Sequence, residues 1–349
     1  MGNYLSRGAY LTDIHFGRKN NSDLHNQDCL DFIDWFCENV KNDPAIDYVA
    51  FLGDWHESRP SIGATTLMYS YMGAKKLNSL GLPVFFVVGN HDLANRNDRD
   101  IFSTIHFNEF DNFRVIDKPV VVDDMKGGML FSPFLFHEEY PGLSEFKKIP
   151  IWAGHFEFKG FIITGSGMKM EAAPDPKDFT GPKYIFSGHF HKRQESGNVI
   201  YIGNTFPMDY GDMDDNDRGM MVYDHIKNKP TFINWKECPK YTRIKISDIL
   251  DGKVELDSKM RVTCLADIPL TYEEESILKE KFMSNYGLRE FSITESSDAS
   301  DALSGTEVTI EGDMRNVDQV FETMLLEINV PNIEPELLVS IYRDLRVPA

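Results

Sequence analysis

Residues 184–191 read Tyr184-Ile185-Phe186-Ser187-Gly188-His189-Phe190-His191. The apolar run at 184–187 reads as a buried strand, and two histidines follow it at positions i and i+2. Side-chain direction in extended chain repeats every two residues, so both imidazoles can turn toward one point. Two neutral imidazoles aimed at one place suit a transition metal. Alone, H-x-H is often a surface accident. Here four other apolar runs end in residues of the same type: Asp13-x-His15 after 8–12, Gly53-Asp54 after 47–52, Gly89-Asn90-His91-Asp92 after 83–88, and Gly154-His155 after 149–153.

Reading outward, the first third alternates strand and helix. Apolar residues Leu30, Ile33, Trp35, Phe36 and Val40 recur at helical spacing over 28–40, and a second helix is expected over 61–80 with Gly81 as its stop. The chemistry then collects at strand C-terminal ends, where open α/β folds place ligands. The middle third reads as short strands at 114–116, 120–122, 129–131, 149–153, 161–164, 184–187 and 199–202, closed by a hairpin at 220–223 and 231–235. Two sheets between two helix layers accommodate this pattern. After residue 240 the metal-type clusters stop. Strands at 241–246 and 260–265, a helix at 272–286 opened by the capping box Thr271-x-x-Glu274, and strands at 291–294 and 307–311 form a small α/β module. Two amphipathic helices, 317–328 and 337–345, end the chain.

Composition bounds the partners. The 349 residues carry 36 Lys+Arg against 55 Asp+Glu, a net charge of −19. That argues against coating nucleic acid with a basic surface, though not against local binding through metals and a few basic side chains. Cys29, Cys37, Cys238 and Cys264 show no C-x-x-C and no zinc-finger spacing, which reads as reduced thiols of a cytosolic protein. No apolar run approaches the ~18 residues of a membrane span, and no signal peptide is visible. Met1-Gly2-Asn3-Tyr4-Leu5-Ser6 fits the pattern for N-myristoylation, a short motif whose plainer reading is an unmodified terminus.

Each cluster also has an ordinary explanation: a turn, a helix cap, a polar loop, a satisfied core histidine. Their joint occurrence, each after a strand, is what chance does not supply. The order D-x-H, G-D, G-N-H-D, G-H, G-H-x-H over residues 8–235 resembles the calcineurin-like metallophosphoesterases. At a finer level it resembles the nuclease subunit of the bacterial SbcCD complex, its phage versions and the eukaryotic meiotic-recombination nuclease. That likeness rests on Thr12-Asp13-Ile14-His15-Phe16-Gly17, on Gly53-Asp54 followed by Ser58-Arg59-Pro60-Ser61, on Gly188-His189-Phe190-His191, and on Tyr201-Ile202-Gly203.

The resemblance implies an α/β protein: a four-layer α-β-β-α sandwich over 1–239, a small α/β capping domain for DNA recognition over 240–311, and a helical tail over 312–349. It implies two divalent metal ions, manganese first, with magnesium, iron or zinc as alternatives. Asp13, His15 and His191 would ligate one ion, Asn90, His155 and His189 the other, with Asp54 as the bridge. His91 would be catalytic, assisting the leaving oxygen. Glu57 takes the place of a histidine found in cellular relatives and is expected to orient His91, with His56 the neighbouring alternative. Arg18, Lys19, Arg59, Arg96, Arg99, Lys192 and Arg193 are candidate phosphate contacts. The implied activity is a metal-dependent DNA exonuclease (3′-to-5′ on double strands) and single-strand endonuclease in DNA end processing, repair or recombination. It would work in the cytoplasm of a bacterium or phage-infected cell as a homodimer, within a heterotetramer with an SbcC-like ABC-type ATPase docked on the tail helices. Two rivals are a phosphoesterase for nucleotides or phosphoproteins with the same metals, and a non-catalytic DNA-end scaffold.

Overall fold

A computed structural model describes residues 4–57, 61–95, 98–125, 127–163, 167–213 and 215–295. Two six-stranded sheets organise them. The first runs Lys229–Asn234, Gly219–Asp224, Arg7–Leu11, Tyr48–Phe51, Val84–Val87, Phe113–Ile116, parallel from Arg7–Leu11 onward and antiparallel around Gly219–Asp224. The second runs Gln194–Ser196, Val199–Tyr201, Tyr184–Ser187, Ile151–Gly154, Met129–Ser132, Val120–Val122, with four parallel strands between antiparallel edges.

Strand alternation assigns the faces. Ala9, Leu11, Val49 and Phe51 pack in the core shared with the helices Asp23–Asn42 and Ala64–Asn78, while Tyr10, Tyr48, Ala50 and Leu52 join Phe131, Ala153 and Phe186 between the sheets. Leu130, Trp152, Ile185 and Tyr201 form a third core outside the second sheet. Among the described residues that outer layer is made of 3₁₀ turns, chiefly His137–Phe146, and loops rather than long helices. The layers are those expected, with a thinner fourth. The parallel strands are buried on both faces, which is why they read as continuous apolar runs.

Of the expected strand at 161–164, residues 161–163 are described and form an isolated bridge, Ile162 to Lys169, held by Met170 N–H on the Phe161 carbonyl at 2.8 Å. The polar hairpin Leu93–Asn95 and Asp98–Phe102 had no apolar alternation to announce it. The four cysteines are free and buried, and burial pushes the Cys37 thiol up to about 11, so they pack rather than react. Among the described residues no helix is long and apolar enough to cross a membrane.

Beyond residue 239, the parallel strands Lys240–Lys245, Met260–Ala266 and Glu290–Glu295 carry the helix Tyr272–Tyr286 and a core of their own around Val262, Phe282 and Phe291. Thr271 and Glu274 form the expected capping box. Buried Asp28 of the first long helix anchors this module. It pairs with Arg261, itself fully buried, and with Arg289 at 3.1 Å. The expected strand at 307–311 and the helices at 317–328 and 337–345 lie outside the described residues.

Candidate metal centre

The strand bodies end where the candidate ligands begin. Asp13, His15, Asp54 and His189 all adopt left-handed backbone, with φ of 50°, 52°, 61° and 90°. Such conformations cost a non-glycine residue ~1–3 kcal/mol each, and persist where the surrounding structure over-determines them. The surrounding core supplies that: each large apolar side chain buried in the strands contributes ~1.5–3 kcal/mol. Asp92 locks two of the loops together. Its carboxylate accepts main-chain N–H bonds from Asp54 (3.1 Å), Trp55 (3.0 Å), His56 (3.0 Å) and Gly89 (2.9 Å). The motif glycines are there for room. A Cβ on Gly89 would lie 2.2 Å from Asp54 Oδ1, and one on Gly188 2.0 Å from Thr12 Oγ1 and 2.8 Å from Asp13 Oδ2.

The seven expected ligands converge as two groups that meet at Asp54. In the first, His15 Nε2 lies 3.1 Å from His191 Nε2, 3.9 Å from Asp13 Oδ1 and 3.8 Å from Asp54 Oδ2. In the second, His155 Nε2 lies 3.2 Å from Asp54 Oδ2 and 2.9 Å from Asn90 Oδ1, which in turn lies 3.0 Å from His189 Nδ1. Asp13, His15 and His191 offer ligand atoms all within 4.8 Å of one another, and so do Asp54, His155 and His189. The His189 N–H bonds to Asp13, 3.1 Å to each oxygen, and so ties the groups together.

The donor chemistry fits metal ions. His155 Nδ1 faces the Leu52 carbonyl at 2.7 Å, and a carbonyl can only accept, so Nδ1 carries the proton. In the neutral ring Nε2 then aims its lone pair at a carboxylate oxygen and an amide oxygen. Acceptors brought together in this way need a shared cation. A proton supplies part of it: burial alone would lower His155, but Asp54, Asp13 and the Leu52 carbonyl together outweigh burial and push it up to about 9. Divalent ions would satisfy the whole set, and their binding would displace that proton. Burial alone would raise Asp54, yet His155, His91 and His15 hold it well below the usual carboxylate range, in its ligating form. Oxygen and nitrogen donors without thiolate suit manganese, iron, zinc or magnesium.

His91 borders both groups, its ring 5.0 Å from that of His15 and its N–H on Asp54 Oδ1 at 2.8 Å. The expected orienting atom proves different. His91 Nδ1 donates to the main-chain carbonyl of Glu57 at 2.9 Å. The Glu57 carboxylate instead lies 2.6 Å from His15 Nδ1 and 3.3 Å from the Arg18 guanidinium. His56 turns away from the centre. Its nitrogens sit 2.7 Å from the Ser70 and Ser103 hydroxyls, and burial pushes it down to about 3.

The basic candidates separate. Arg18 is engaged by Glu57 and, at 2.7 Å, by Asp209. Lys19 lies over the Tyr241 ring and 3.5 Å from Glu290, at the seam with the C-terminal module. Arg193 stacks on Phe232 and donates to Asn234, and Arg99 pairs with Glu139 at 2.6 Å. Lys192 is exposed, and Arg59 and Arg96 lie outside the described residues. Sequence reading missed Glu157, whose Oε1 lies 3.2 Å from His189 Nε2 and whose Oε2 lies 2.9 Å from the His137 ring. Its signal was its position, two residues after His155 at a strand end.

Residues 9–193 match the model of a family described as calcineurin-like phosphoesterase. The chain is 29% identical over 228 residues to exonuclease subunit 1 of Enterobacteria phage T4, an alignment covering 64% of this chain and 66% of that protein. Among solved structures, an archaeal phosphodiesterase is similar over 66% of this chain and 99% of its own, with 12% identity and a TM-score of 0.36. A dimetal phosphatase from Danio rerio is similar over 63% of this chain and 93% of its own, with 8% identity and a TM-score of 0.41.

Proposed function

From the premise that the chain belongs to the calcineurin-like phosphoesterase family, we propose that it is a two-metal DNA nuclease. Asp13, His15 and His191 hold one ion, Asn90, His155 and His189 the other, and Asp54 bridges them. The observation that carries the metal reading is the convergence of two donor groups on one shared carboxylate. The identity to a phage exonuclease subunit supports DNA as the substrate.

Two divalent ions held there would supply Lewis-acid stabilisation of a phosphodiester and activation of a water. The chain's own residues do the rest. Glu57, through its carbonyl, fixes the His91 ring with Nδ1 protonated, leaving Nε2 to carry a proton to the departing sugar oxygen. Burial lowers His91 from its ordinary value, and the negative charge of a bound phosphate opposes that shift. The Glu57 carboxylate, held by Arg18, orients His15. On this reading the enzyme shortens duplex DNA in the 3′-to-5′ direction and nicks single strands. Residues 240–311 recognise DNA, with Arg18, Lys19, Arg59, Lys192 and Arg193 as phosphate contacts.

The word subunit in the phage relative's name supports a partner, which we assign as an SbcC-like ATPase bound by residues 312–349. Deleting those residues is expected to abolish co-purification with the ATPase and leave phosphodiester turnover in place, and retained binding would contradict the assignment. A homodimer is supported by Leu67, Met68, Tyr71 and Met72, which leave an apolar face exposed on the helix Ala64–Asn78. A monomer mass in light scattering would remove that reading.

The functional test uses linear duplex DNA and bis-p-nitrophenyl phosphate with added manganese, wild type against His189→Ala. Hydrolysis of both substrates, lost in the variant, is expected. Turnover of the small ester alone would move the assignment to a small-substrate phosphoesterase.

A further inference from the structure

The segment leaving strand Ile151–Gly154 is pinned by buried hydroxyls. Phe156 N–H donates to Ser187 Oγ at 2.9 Å, Glu157 N–H to the Tyr140 hydroxyl at 2.7 Å, and Phe158 N–H to the Tyr201 hydroxyl at 3.0 Å. Glu157 is therefore held in one place, with Oε1 3.2 Å from His189 Nε2 and Oε2 2.9 Å from His137 Nε2. An ionised carboxylate only accepts, so His189 carries its proton on Nε2 and turns the lone pair of Nδ1 toward Asn90 Oδ1, 3.0 Å away.

In the other half of the centre a carboxylate also lies against a histidine with the ring reversed, as a close contact off the hydrogen-bond direction. Glu57 Oε2 lies 2.6 Å from His15 Nδ1, so the opposite nitrogen, Nε2, faces His191 at 3.1 Å. One carboxylate thus stands behind one histidine in each half, and each is met in turn by a further side chain: Arg18 at Glu57, His137 at Glu157.

We propose that Glu157 is a positioning residue for the Asp54–Asn90–His155–His189 half of the centre, so that each half of the centre is set by its own outer carboxylate. This rests on the reading of a two-ion centre and adds to it: the two ions are held with separately adjustable affinities. The rim contact between Glu157 and half-exposed His137 would by itself contribute little. A carboxylate that fixes the tautomer of a ligating histidine is worth about 10–100-fold in metal affinity.

The experiment titrates the full chain with manganese, following stoichiometry by calorimetry and the spin coupling of paired ions by electron paramagnetic resonance. Wild type is expected to take up two ions. Glu157→Gln is expected to keep one ion at wild-type affinity and to bind the second about 10–100-fold more weakly, with the coupled signal lost at limiting metal. Glu157→Asp is expected to restore part of the loss, and His137→Ala to weaken the second ion less than Glu157→Gln does. Two ions bound by Glu157→Gln as in wild type would overturn the assignment, as would equal weakening of both. A wild-type chain that binds fewer than two ions would overturn the two-ion reading itself, and the assignment with it.

Discussion

Asp54→Asn is expected to lower manganese-dependent phosphodiester turnover by about 10³-fold while the protein stays folded. Asp54 is the residue the two donor groups share, its Oδ2 lying 3.2 Å from His155 Nε2 and 3.8 Å from His15 Nε2. Oδ1 meanwhile accepts the His91 N–H at 2.8 Å. Asparagine has nearly the same shape and can keep that last bond through its oxygen. Its NH₂ group cannot ligate a cation, so one ion loses a ligand and the charge that neutralises the pair falls by one. The loss is therefore one of metal occupancy and electrostatics, with little change in packing. Metal analysis is expected to find about one tightly bound ion in the variant where wild type holds two. Full activity with two ions bound would show that Asp54 is not the bridge.

His91→Gln is expected to separate substrates by leaving group. On duplex DNA, whose departing alkoxide needs a proton, the rate falls by about 10²–10⁴-fold. On bis-p-nitrophenyl phosphate it falls by less than about 10-fold, because nitrophenolate leaves without one. The structure makes the substitution informative, since the His91 N–H on Asp54 is a main-chain bond that glutamine keeps, and the Nδ1 bond to the Glu57 carbonyl holds only the ring. Equal losses on both substrates would assign His91 to phosphate binding rather than proton transfer, and no loss on either would remove it from the mechanism.

The candidate site was legible because its expected ligands sit at the ends of apolar strands, and strands buried on both faces are the plainest signal in a sequence. The glycines before Asn90 and His189 could be seen, but their reason could not: contact with Asp54 and Thr12 is a property of three loops folded together. Asp92 carried a metal-type side chain in a metal-type cluster, and nothing local distinguished a ligand from an acceptor for four main-chain amides. The Glu57 spacing suggested a partner for His91. Its carboxylate went to His15 and Arg18, while its main-chain carbonyl took the His91 ring, and which of the two would meet that ring is set by the fold rather than by spacing. The Asp28–Arg261 anchor joins residues 233 positions apart, with no local pattern to join them. Lys19, read as a phosphate contact, is likewise tied to residues distant in sequence, Tyr241 and Glu290.

The most direct test of the nuclease reading is a linear duplex labelled separately at its 3′ or 5′ ends, incubated with manganese and wild-type protein beside Asp54→Asn. The account predicts early release of the 3′ label as mononucleotide, slow loss of the 5′ label, and neither in the variant. An intact duplex under conditions where wild type hydrolyses bis-p-nitrophenyl phosphate would contradict it.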